Sequence, residues 1–308
     1  MILCCGEALM DMIPTVTPLG REAYEPRPGG AVLNTAVAMG RLGAPAGMVT
    51  GLSHDMFGRK LAEHLSGSNV DISYVLWSDR PTTLAFVELE NGQASYQFYD
   101  ENSAARMLKL AEIPPLPTDV SALFFGGISL ACEPAADSYA ALMAREGRGC
   151  AVMLDPNIRP SFIQNIERYR QRLDRMLQLS DIVKVSDEDL NWIFPEPGEL
   201  EGKVQYILQK GVSVVVLTCG EKGATGFLAN GTRVHVPAML AEIADTVGAG
   251  DTFNAGFLTK LSEQGSLSKD RLKSLAPRAL KQALKHGTRA AGVTVTRVGA
   301  DPPWAREI

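Results

Sequence analysis

A glycine-rich turn that ends in an aspartate, residues 245–253 (DTVGAGDTF), is the segment of this chain best suited to chemistry. Gly248 and Gly250 allow successive backbone N–H groups to converge on one point. The helical pattern after them adds the positive end of a helix dipole. An anion should therefore bind at Gly248, Ala249 and Gly250. Asp251 would repel that anion unless a hydroxyl group lay between them.

A carboxylate beside an anion-binding turn has the parts that phosphoryl transfer to a hydroxyl group requires. The carboxylate accepts the hydroxyl proton, and the backbone N–H groups stabilise charge on the transferred phosphoryl group. We therefore predict that Asp251 is the base of such a reaction. The alternative interpretation is an ordinary helix start with an aspartate in its first turn.

A second candidate for contact with the phosphoryl group is Arg159, in the segment 155–159 (DPNIR). This segment follows an apolar run at residues 151–154, so the guanidinium should lie at the carboxyl edge of a sheet. Its planar fork of N–H donors suits a phosphate. We predict that Arg159 contacts the transferred group, with a loop salt bridge as the alternative for this segment.

Short apolar runs alternate along the chain with segments of helical length. The runs have strand length and are apolar on both faces, as at residues 2–5, 46–50, 122–125, 151–154, 182–185 and 214–218. Since parallel strands buried on both faces have this composition, the pattern predicts an α/β fold. The expected architecture is a doubly wound, mainly parallel sheet with helices on both faces. In such sheets, ligands bind beyond the carboxyl ends of the strands.

One stretch breaks this alternation. Residues 82–90 and 94–99 have the pattern of two strands joined by the turn-forming pair Asn91-Gly92. Their alternating pattern leaves one face free to cover something, so we predict a small β-strand lid over a ligand site. An ordinary edge hairpin is the alternative. The predicted organisation is a single domain over residues 1–308, with the lid inserted mainly around residues 12–27 and 82–100.

Composition excludes several classes of protein. The chain has 308 residues, 45% of them hydrophobic and 21% charged, which suits a globular protein with a full core. Its net charge of −5 and lack of a basic cluster argue against a nucleic-acid partner. No apolar stretch has the length of a membrane helix, and the N-terminal charge order does not fit a secretory signal. We therefore expect a cytoplasmic protein without membrane contact.

Other sites are not indicated. The five cysteines and four histidines are scattered, which predicts neither disulfides nor a zinc site. The chain also lacks a P-loop and a dinucleotide-binding glycine motif, and this argues against P-loop NTPases and dinucleotide dehydrogenases.

The turn at residues 245–253 resembles the second signature of the ribokinase-like (PfkB) carbohydrate kinases, and the resemblance extends over essentially the whole chain. It implies that Asp251 is the catalytic base and that the backbone at residues 248–250 is the anion hole. Segments similar to 155–159 contact the phosphate or the substrate in members of the family, which implies that Asn157 and Arg159 contact the transferred group. Residues 29–34 (GGAVLN), followed by 41–44 (RLGA), are similar to the family's first signature. That similarity implies sugar contacts from Gly29, Gly30 and Asn34.

Gly6-Glu7 and Asp11 resemble the family's opening strand and loop, in which the aspartate accepts sugar hydroxyl groups. Carboxylates and amides of this kind can grip neighbouring hydroxyls of a polyol. From the residues alone, Asp11 could equally be a helix cap, and Asn34 could serve only a backbone group.

Nucleotide and metal contacts are implied by two further segments. Residues 184–189 (KVSDED) correspond to a family segment that commonly reads Asn-x-x-Glu and influences magnesium, which assigns Lys184 and Ser186 to the nucleotide and Asp189 to the metal. The shorter acid departs from that pattern, although it could hold a metal-bound water. Residues 218–224 (TCGEKGA) resemble the nucleotide loop and imply Thr218, Gly220 and Gly223; plain hairpin glycines are the alternative.

The resemblance implies an ATP-dependent and Mg²⁺-dependent sugar kinase, with K⁺ and a homodimer through the lid face at Phe86 or Phe98 as further expectations. Residues 98–104 (FYDENSA) look most like the lid of fructose-specific members of the family, and this adds Tyr99 to the sugar contacts. Asp100 stands where kinases of sugar acids tend to carry an arginine, which disfavours a carboxylate substrate.

Fructose is therefore the first expected substrate. Ribose, a nucleoside and 2-keto-3-deoxygluconate follow it. A sugar-binding regulator that has lost catalysis is the alternative from another class.

Overall fold

The computed structural model describes residues 1–90 and 93–308, and its description of side chains omits residues 89–95. The predicted Asn91-Gly92 turn lies outside the described residues. The strands are, in chain order, β1 (Ile2–Cys5), β2 (Leu9–Val16), β3 (Glu22–Gly29), β4 (Ala46–Val49), β5 (Gly51–Ser53), β6 (Val70–Asp71), β7 (Leu76–Ser78), β8 (Leu84–Glu90), β9 (Gln93–Tyr99), β10 (Ala122–Gly126), β11 (Ala151–Asp155), β12 (Ile182–Ser186), β13 (Val214–Thr218), β14 (Ala224–Leu228) and β15 (Arg233–Val236). The helices are α1 (Ala31–Arg41), α2 (Met56–Gly67), α3 (Ala135–Glu146), α4 (Ile166–Leu179), α5 (Asp187–Ile193), α6 (Leu200–Leu208), α7 (Ala249–Glu263), α8 (Lys269–Lys273) and α9 (Pro277–Thr294).

The main sheet has the strand order β15-β14-β13-β12-β11-β10-β1-β4-β6. Neighbouring strands from β13 to β6 run parallel, and β14 and β15 are added antiparallel at one edge. This confirms the predicted mainly parallel sheet. The carboxyl ends of β1, β10, β11, β12 and β13 consequently lie along one side of the molecule.

Both faces of the main sheet are buried, as the apolar runs predict. In β1, Ile2 and Cys4 belong to one hydrophobic core, and Leu3 and Cys5 belong to the other. Helices α1, α2, α7 and α9 contribute to the first core, and α3, α4, α5 and α6 to the second. Helices therefore cover the sheet on both sides, and the doubly wound fold is confirmed.

A second, smaller sheet has the order β3-β2-β8-β9, in which only β2 and β8 pair in parallel. Its register aligns Asp11 of β2 with Ala85 of β8, and Ala85 with Phe98 of β9. Because aligned residues share a face, these three side chains lie on one side of the small sheet. We call that side, which includes buried Ala85 and Val87, the inner face of the lid.

No helix among the described residues is both long and apolar enough to cross a bilayer.

Candidate active site

The glycine-rich turn forms the start of α7. Gly248 is the residue before the helix and has a φ of 76°, in the left-handed region that favours glycine. A Cβ at this position would lie 2.7 Å from Cβ of Ala300, so glycine is also required by space. Asp245 fixes the turn by accepting hydrogen bonds from the backbone N–H groups of Val247 and Gly299 at 3.0 and 2.8 Å. The N–H of Ala249 donates to the carbonyl oxygen of Thr246 at 3.2 Å, so, contrary to the prediction, it is not free for an anion; the N–H groups of Gly250 and Asp251 make no such bond among the described residues and can bind one.

Asp251 lies in that first turn and is 7% exposed. Nδ2 of Asn34, on α1, donates a hydrogen bond to Oδ2 of Asp251 at 3.0 Å. Burial raises the pKa of Asp251 to about 7; the Asn34 hydrogen bond and the Lys184 charge oppose this rise, and the carboxylates of Asp155 and Glu7 add to it. A carboxylate with this pKa can take up a proton near neutral pH.

A cavity of about 360 Å³ opens beside this aspartate; we call it the polar cavity. It lies between the carboxyl edge of the main sheet, the start of α1, the start of α7 and the inner face of the lid. Its lining comprises Glu7, Leu9, Asp11, Gly30, Ala31, Asn34, Tyr96, Phe98, Gly127, Ile128, Asn157, Arg159, Phe162, Lys184, Thr246, Val247, Gly248, Gly250 and Asp251.

Two carboxylates besides Asp251 line the polar cavity. Burial raises the pKa of Asp11 to about 7. A Cβ on Gly29 would lie 2.0 Å from Oδ2 of Asp11, so Gly29 makes room for this carboxylate although it does not line the cavity itself. Burial also raises the pKa of Glu7, which accepts hydrogen bonds from the hydroxyl and the backbone N–H of Ser129 at 2.6 and 3.1 Å.

Glycine is required at Gly30 for a related reason. Its φ is 104°, and a Cβ there would lie 3.1 Å from Cγ of Glu7. The sequence predicts no role for Glu7. Its burial depends on Ser129, which is 122 residues away in the chain, so no local signal indicated it.

A second cavity, of about 320 Å³, lies on the other side of the turn. We call it the apolar cavity. It is lined by Thr218, Gly220, Glu221, Gly223, Ala224, Ala238, Met239, Ile243, Thr246, Ala249, Gly250, Phe253, Thr288, Ala291, Gly292 and Val295. The predicted residues Thr218, Gly220 and Gly223 therefore come together here. Because Thr246 and Gly250 line both cavities, the glycine-rich turn is their common wall.

The remaining predicted phosphate and nucleotide contacts divide into two groups. Asn157, Arg159 and Lys184 line the polar cavity. Ser186 and Asp189 line neither cavity: the Ser186 hydroxyl accepts the N–H of Asp189 at 2.9 Å and caps α5.

The Asp189 carboxylate is also engaged. It accepts backbone N–H groups from Ile158 at 2.8 Å and from Ser186 at 3.4 Å. Asp189 therefore stabilises the backbone of the 155–159 segment and does not point into either cavity.

The lid contributes different aromatic residues from the one predicted. Tyr99 is 52% exposed, lies on the outer face of the lid with its ring 5.4 Å from that of Phe86, and does not line the polar cavity. Tyr96 and Phe98 lie on the opposite face of β9 from Tyr99, and they line the cavity instead. The ring centroids of Phe98 and Phe162 lie 4.1 Å apart, so the lid packs against the loop at residues 155–162.

Asp100 lies outside the polar cavity as well. It is 8% exposed and forms an ion pair with Arg106 at 2.6 Å. Its carboxylate therefore does not face a ligand in the polar cavity and cannot repel a sugar acid there. The charged side chains that do line the cavity are of both signs: Glu7, Asp11 and Asp251 with Arg159 and Lys184.

Comparisons with known proteins agree with this geometry. The family model described as pfkB family carbohydrate kinase matches residues 1–306. A fructokinase of Rhizobium leguminosarum bv. trifolii is 47% identical over 281 residues, covering 91% of this chain and 86% of that protein.

Two solved structures are also similar. The crystal structure of a fructokinase with bound ATP from Xylella fastidiosa has a TM-score of 0.89 at 27% identity, covering 97% of this chain and 93% of that one. A double mutant of the fructokinase from Vibrio cholerae O395, with fructose, ADP and potassium ion bound, has a TM-score of 0.84 at 28% identity, with 97% and 93% covered. The chain therefore belongs to the pfkB family of carbohydrate kinases.

Proposed function

We propose that this carbohydrate kinase transfers the γ-phosphoryl group of ATP to fructose, with Asp251 as the base. The observation that carries the proposal is the shared wall of the two cavities. A buried aspartate with a pKa of about 7 lies on the polar side of the anion-binding turn, and an apolar cavity suited to a nucleotide base lies on the other side. The Rhizobium leguminosarum fructokinase, at 47% identity, supports fructose as the acceptor.

In the proposed reaction, a hydroxyl group of the sugar lies between Asp251 and the turn. Its proton passes to the Asp251 carboxylate as the sugar oxygen forms a bond to the γ-phosphorus. The bond from that phosphorus to the bridging oxygen breaks, and ADP leaves with the electron pair. Backbone N–H groups at the start of α7, among them that of Gly250, and the Arg159 guanidinium stabilise the charge on the phosphoryl oxygens. Asn34 holds the carboxylate in place through its 3.0 Å hydrogen bond.

The polar cavity suits a neutral polyol. We propose that Asp11 and Asn34 form hydrogen bonds with hydroxyl groups of the sugar, next to Gly30. Tyr96 and Phe98 would cover the apolar side of the sugar. The similarity to fructokinases ranks fructose ahead of the sugar acid 2-keto-3-deoxygluconate. Ribose and nucleosides remain neutral alternatives that only activity can separate from fructose.

We propose Mg²⁺ as the metal and a monovalent cation such as K⁺ as an activator. Among the described residues, no group of three or more His, Cys, Asp or Glu side chains is placed to hold a metal ion. An ion held mainly by nucleotide phosphates and water fits this arrangement. When bound, such an ion would withdraw charge from the phosphates. Asp189 would reach it only through water, because its carboxylate already accepts two backbone N–H groups.

We also propose that residues 1–308 form one cytoplasmic kinase domain, with the small sheet as the lid, and that two copies pair through the lid. The supporting feature is an aromatic cluster on the outer face, in which the ring of Phe86 lies 5.0 Å from Tyr24 and 5.4 Å from Tyr99. Phe98 is not available for pairing because it packs on Phe162. A monomeric sedimentation result would contradict the dimer.

The test of the proposed function is ADP release with Mg-ATP across fructose, ribose, 2-keto-3-deoxygluconate, glucose and adenosine. We expect the highest kcat/KM with fructose. A preference for adenosine would establish a nucleoside kinase. Measurable sugar binding without ADP release from any acceptor would indicate a regulator that has lost catalysis.

A further inference from the structure

Beneath the anion-binding turn, three polar side chains lie on a face of the main sheet that is otherwise apolar. Lys184 of β12, Asp155 of β11 and Asn254 of α7 are 5%, 1% and 0% exposed. Their neighbours on the same face, such as Met153 and Ile182, belong to the hydrophobic core. Because burying an ion pair costs desolvation energy that its Coulomb attraction seldom exceeds, stability alone does not explain this group.

One carboxylate oxygen holds the group together. Nζ of Lys184 donates to Oδ2 of Asp155 at 3.0 Å, and Nδ2 of Asn254 donates to the same oxygen at 2.6 Å. The other oxygen of Asp155, Oδ1, is buried and has no hydrogen-bond partner among the described residues. A carboxylate left half satisfied is a poor stabiliser, so a different role is indicated.

The ammonium group of Lys184 lies against the anion-binding turn. Lys184 lines the polar cavity, and its Nζ is 3.3 Å from the point that a Cβ on Gly250 would occupy. Gly250 thus allows the ammonium to approach the turn. A lysine has three N–H donors, and the hydrogen bond to Asp155 is the one that Nζ makes within the described part of the chain. Two donors therefore remain for an anion at the turn.

We propose that Asp155, supported by Asn254, is a positioning residue that holds the Lys184 ammonium against the transferred phosphoryl group. This inference rests on the phosphoryl transfer proposed above. The bond from the γ-phosphorus to ADP breaks as the bond to the sugar oxygen forms. During this step Lys184 and the turn together stabilise the negative charge on the phosphoryl oxygens. Asp155 itself touches neither substrate; it acts through the lysine.

Asp155 also acts on the base. Besides burial, the groups that shift the pKa of Asp251 are Asn34 of α1, Asp155, Lys184 and Glu7; the Asp155 carboxylate raises this pKa and Lys184 lowers it. Removing the Asp155 charge should therefore move the acid limb of the activity profile to lower pH. A variant that only loosened the fold would leave the limb in place.

The first test is a double-mutant cycle in the full-length chain. Asp155→Asn should lower kcat about 30-fold and leave the KM for fructose within about twofold, because only the charge on the transferred group is affected. Lys184→Met should lower kcat about 100-fold. Measured well above the pKa of Asp251, where the base is deprotonated in every variant, Asp155→Asn in the Lys184→Met background should change kcat by less than about twofold, since no ammonium is left to position. An equal loss in both backgrounds would overturn the proposal.

A matched control uses another Asp–Lys pair, which is partly buried and joins the start of β12 to helix α8. Asp181, just before β12, accepts a hydrogen bond from Nζ of Lys269 at 2.7 Å, at the end of the strands away from the turn. Asp181→Asn should reduce the melting temperature but keep kcat within about twofold of the original chain. If it lowered kcat as Asp155→Asn does, the loss would reflect general destabilisation, and the proposal would fail.

A binding measurement separates this inference from the proposed function. By calorimetry, Asp155→Asn and Lys184→Met should weaken binding of a non-hydrolysable β,γ-imido ATP analogue about fivefold or more, and leave ADP binding within about twofold, because only the analogue carries the third phosphate. This readout needs no sugar. If the chain phosphorylated no sugar, the proposed function would fail while the analogue-to-ADP ratio still tested the lysine. If the chain phosphorylated fructose but both variants weakened the binding of the analogue and of ADP equally, the inference alone would fail.

Discussion

The polar and the apolar cavity have similar volumes, about 360 and about 320 Å³, but walls of opposite character. Carboxylates and amides converge on the polar cavity; hydrogen bonds orient Glu7, Asn34 and Asp251, and Gly29 makes room for Asp11. The apolar cavity is walled largely by side chains such as Ala238, Met239, Phe253 and Val295. The two ligands should therefore be recognised differently: the sugar by directed hydrogen bonds, and the nucleotide base by shape.

This difference has an energetic consequence. Removing one hydrogen-bonding group leaves its partner unpaired and costs a large factor in rate, whereas crowding an apolar wall by a methyl group costs a small one. Changes at the shared turn should have the largest effects because the turn serves both ligands.

The largest effect is expected at the turn itself. Gly248→Val should lower kcat about 1000-fold, because a side chain at a φ of 76° strains the backbone and would collide with Ala300, which displaces the N–H donors. Steady-state ADP release measures this loss.

The control for this change is Gly231→Val. Gly231 has a φ of 86° but open space around it, so the substitution introduces similar backbone strain far from the site. Loss of kcat in both variants would mean that strain alone is responsible, and the anion-hole role of the turn would be rejected.

The next effect is confined to the polar cavity. Asp11→Asn should lower kcat/KM for fructose about 30-fold, the amount expected for losing a charged hydrogen bond, and leave the KM for ATP unchanged. Glu25→Gln, on the exposed neighbouring strand β3, removes a lid carboxylate outside the cavity and should have no effect. A change in the KM for ATP equal to that for fructose would contradict the separation of the two cavities.

The pH dependence should follow from the raised pKa values of Asp251 and Asp11, both about 7. The base must be deprotonated to act, so activity is present above pH 7 and is lost as the pH falls. We expect kcat/KM for fructose to fall about tenfold or more from pH 8 to pH 6. Asp11→Asn should make this acid limb shallower, because one of the two titrating groups is gone. A flat profile between pH 5 and pH 8 would refute the raised pKa values.

The smallest effect is expected in the apolar cavity. Gly292→Val places a Cβ 2.6 Å from Cβ of Met239, which narrows the cavity, and should raise the KM for ATP about fivefold without changing the KM for fructose. Gly202→Val, in helix α6 with open space around it, is the control for adding a β-branched residue to a helix. A larger effect on fructose than on ATP would reverse the assignment of the two cavities.

Features formed by residues that are contiguous in the chain are predicted well from the sequence. The glycine-rich turn, Asp251 and the helix after them are contiguous, so residue types and spacing were sufficient to predict their geometry. The alternation of buried strands likewise predicted the sheet and its covered faces. Asn34 and Asp11 came from family resemblance, because their proximity to Asp251 is created by the fold.

The errors at the lid have a geometric cause. Tyr99 and Phe98 are neighbours in the chain, but consecutive strand residues point to opposite faces, so an uncertainty of one residue exchanges the outer face for the cavity. Only the register that aligns Asp11, Ala85 and Phe98 decides between them. Asp155 was missed for a similar reason, since its partner Asn254 is 99 residues away in sequence.

The central claim is that one buried carboxylate, at the wall shared by the two cavities, takes the proton from the sugar. Asp251→Asn keeps the shape of the side chain and removes the base, so fructose and the imido analogue of ATP should bind within about threefold of the original affinities. In the same preparation, ADP release with Mg-ATP and fructose should fall about 1000-fold. A variant that binds both ligands and still turns over at more than about a tenth of the original rate would contradict the claim.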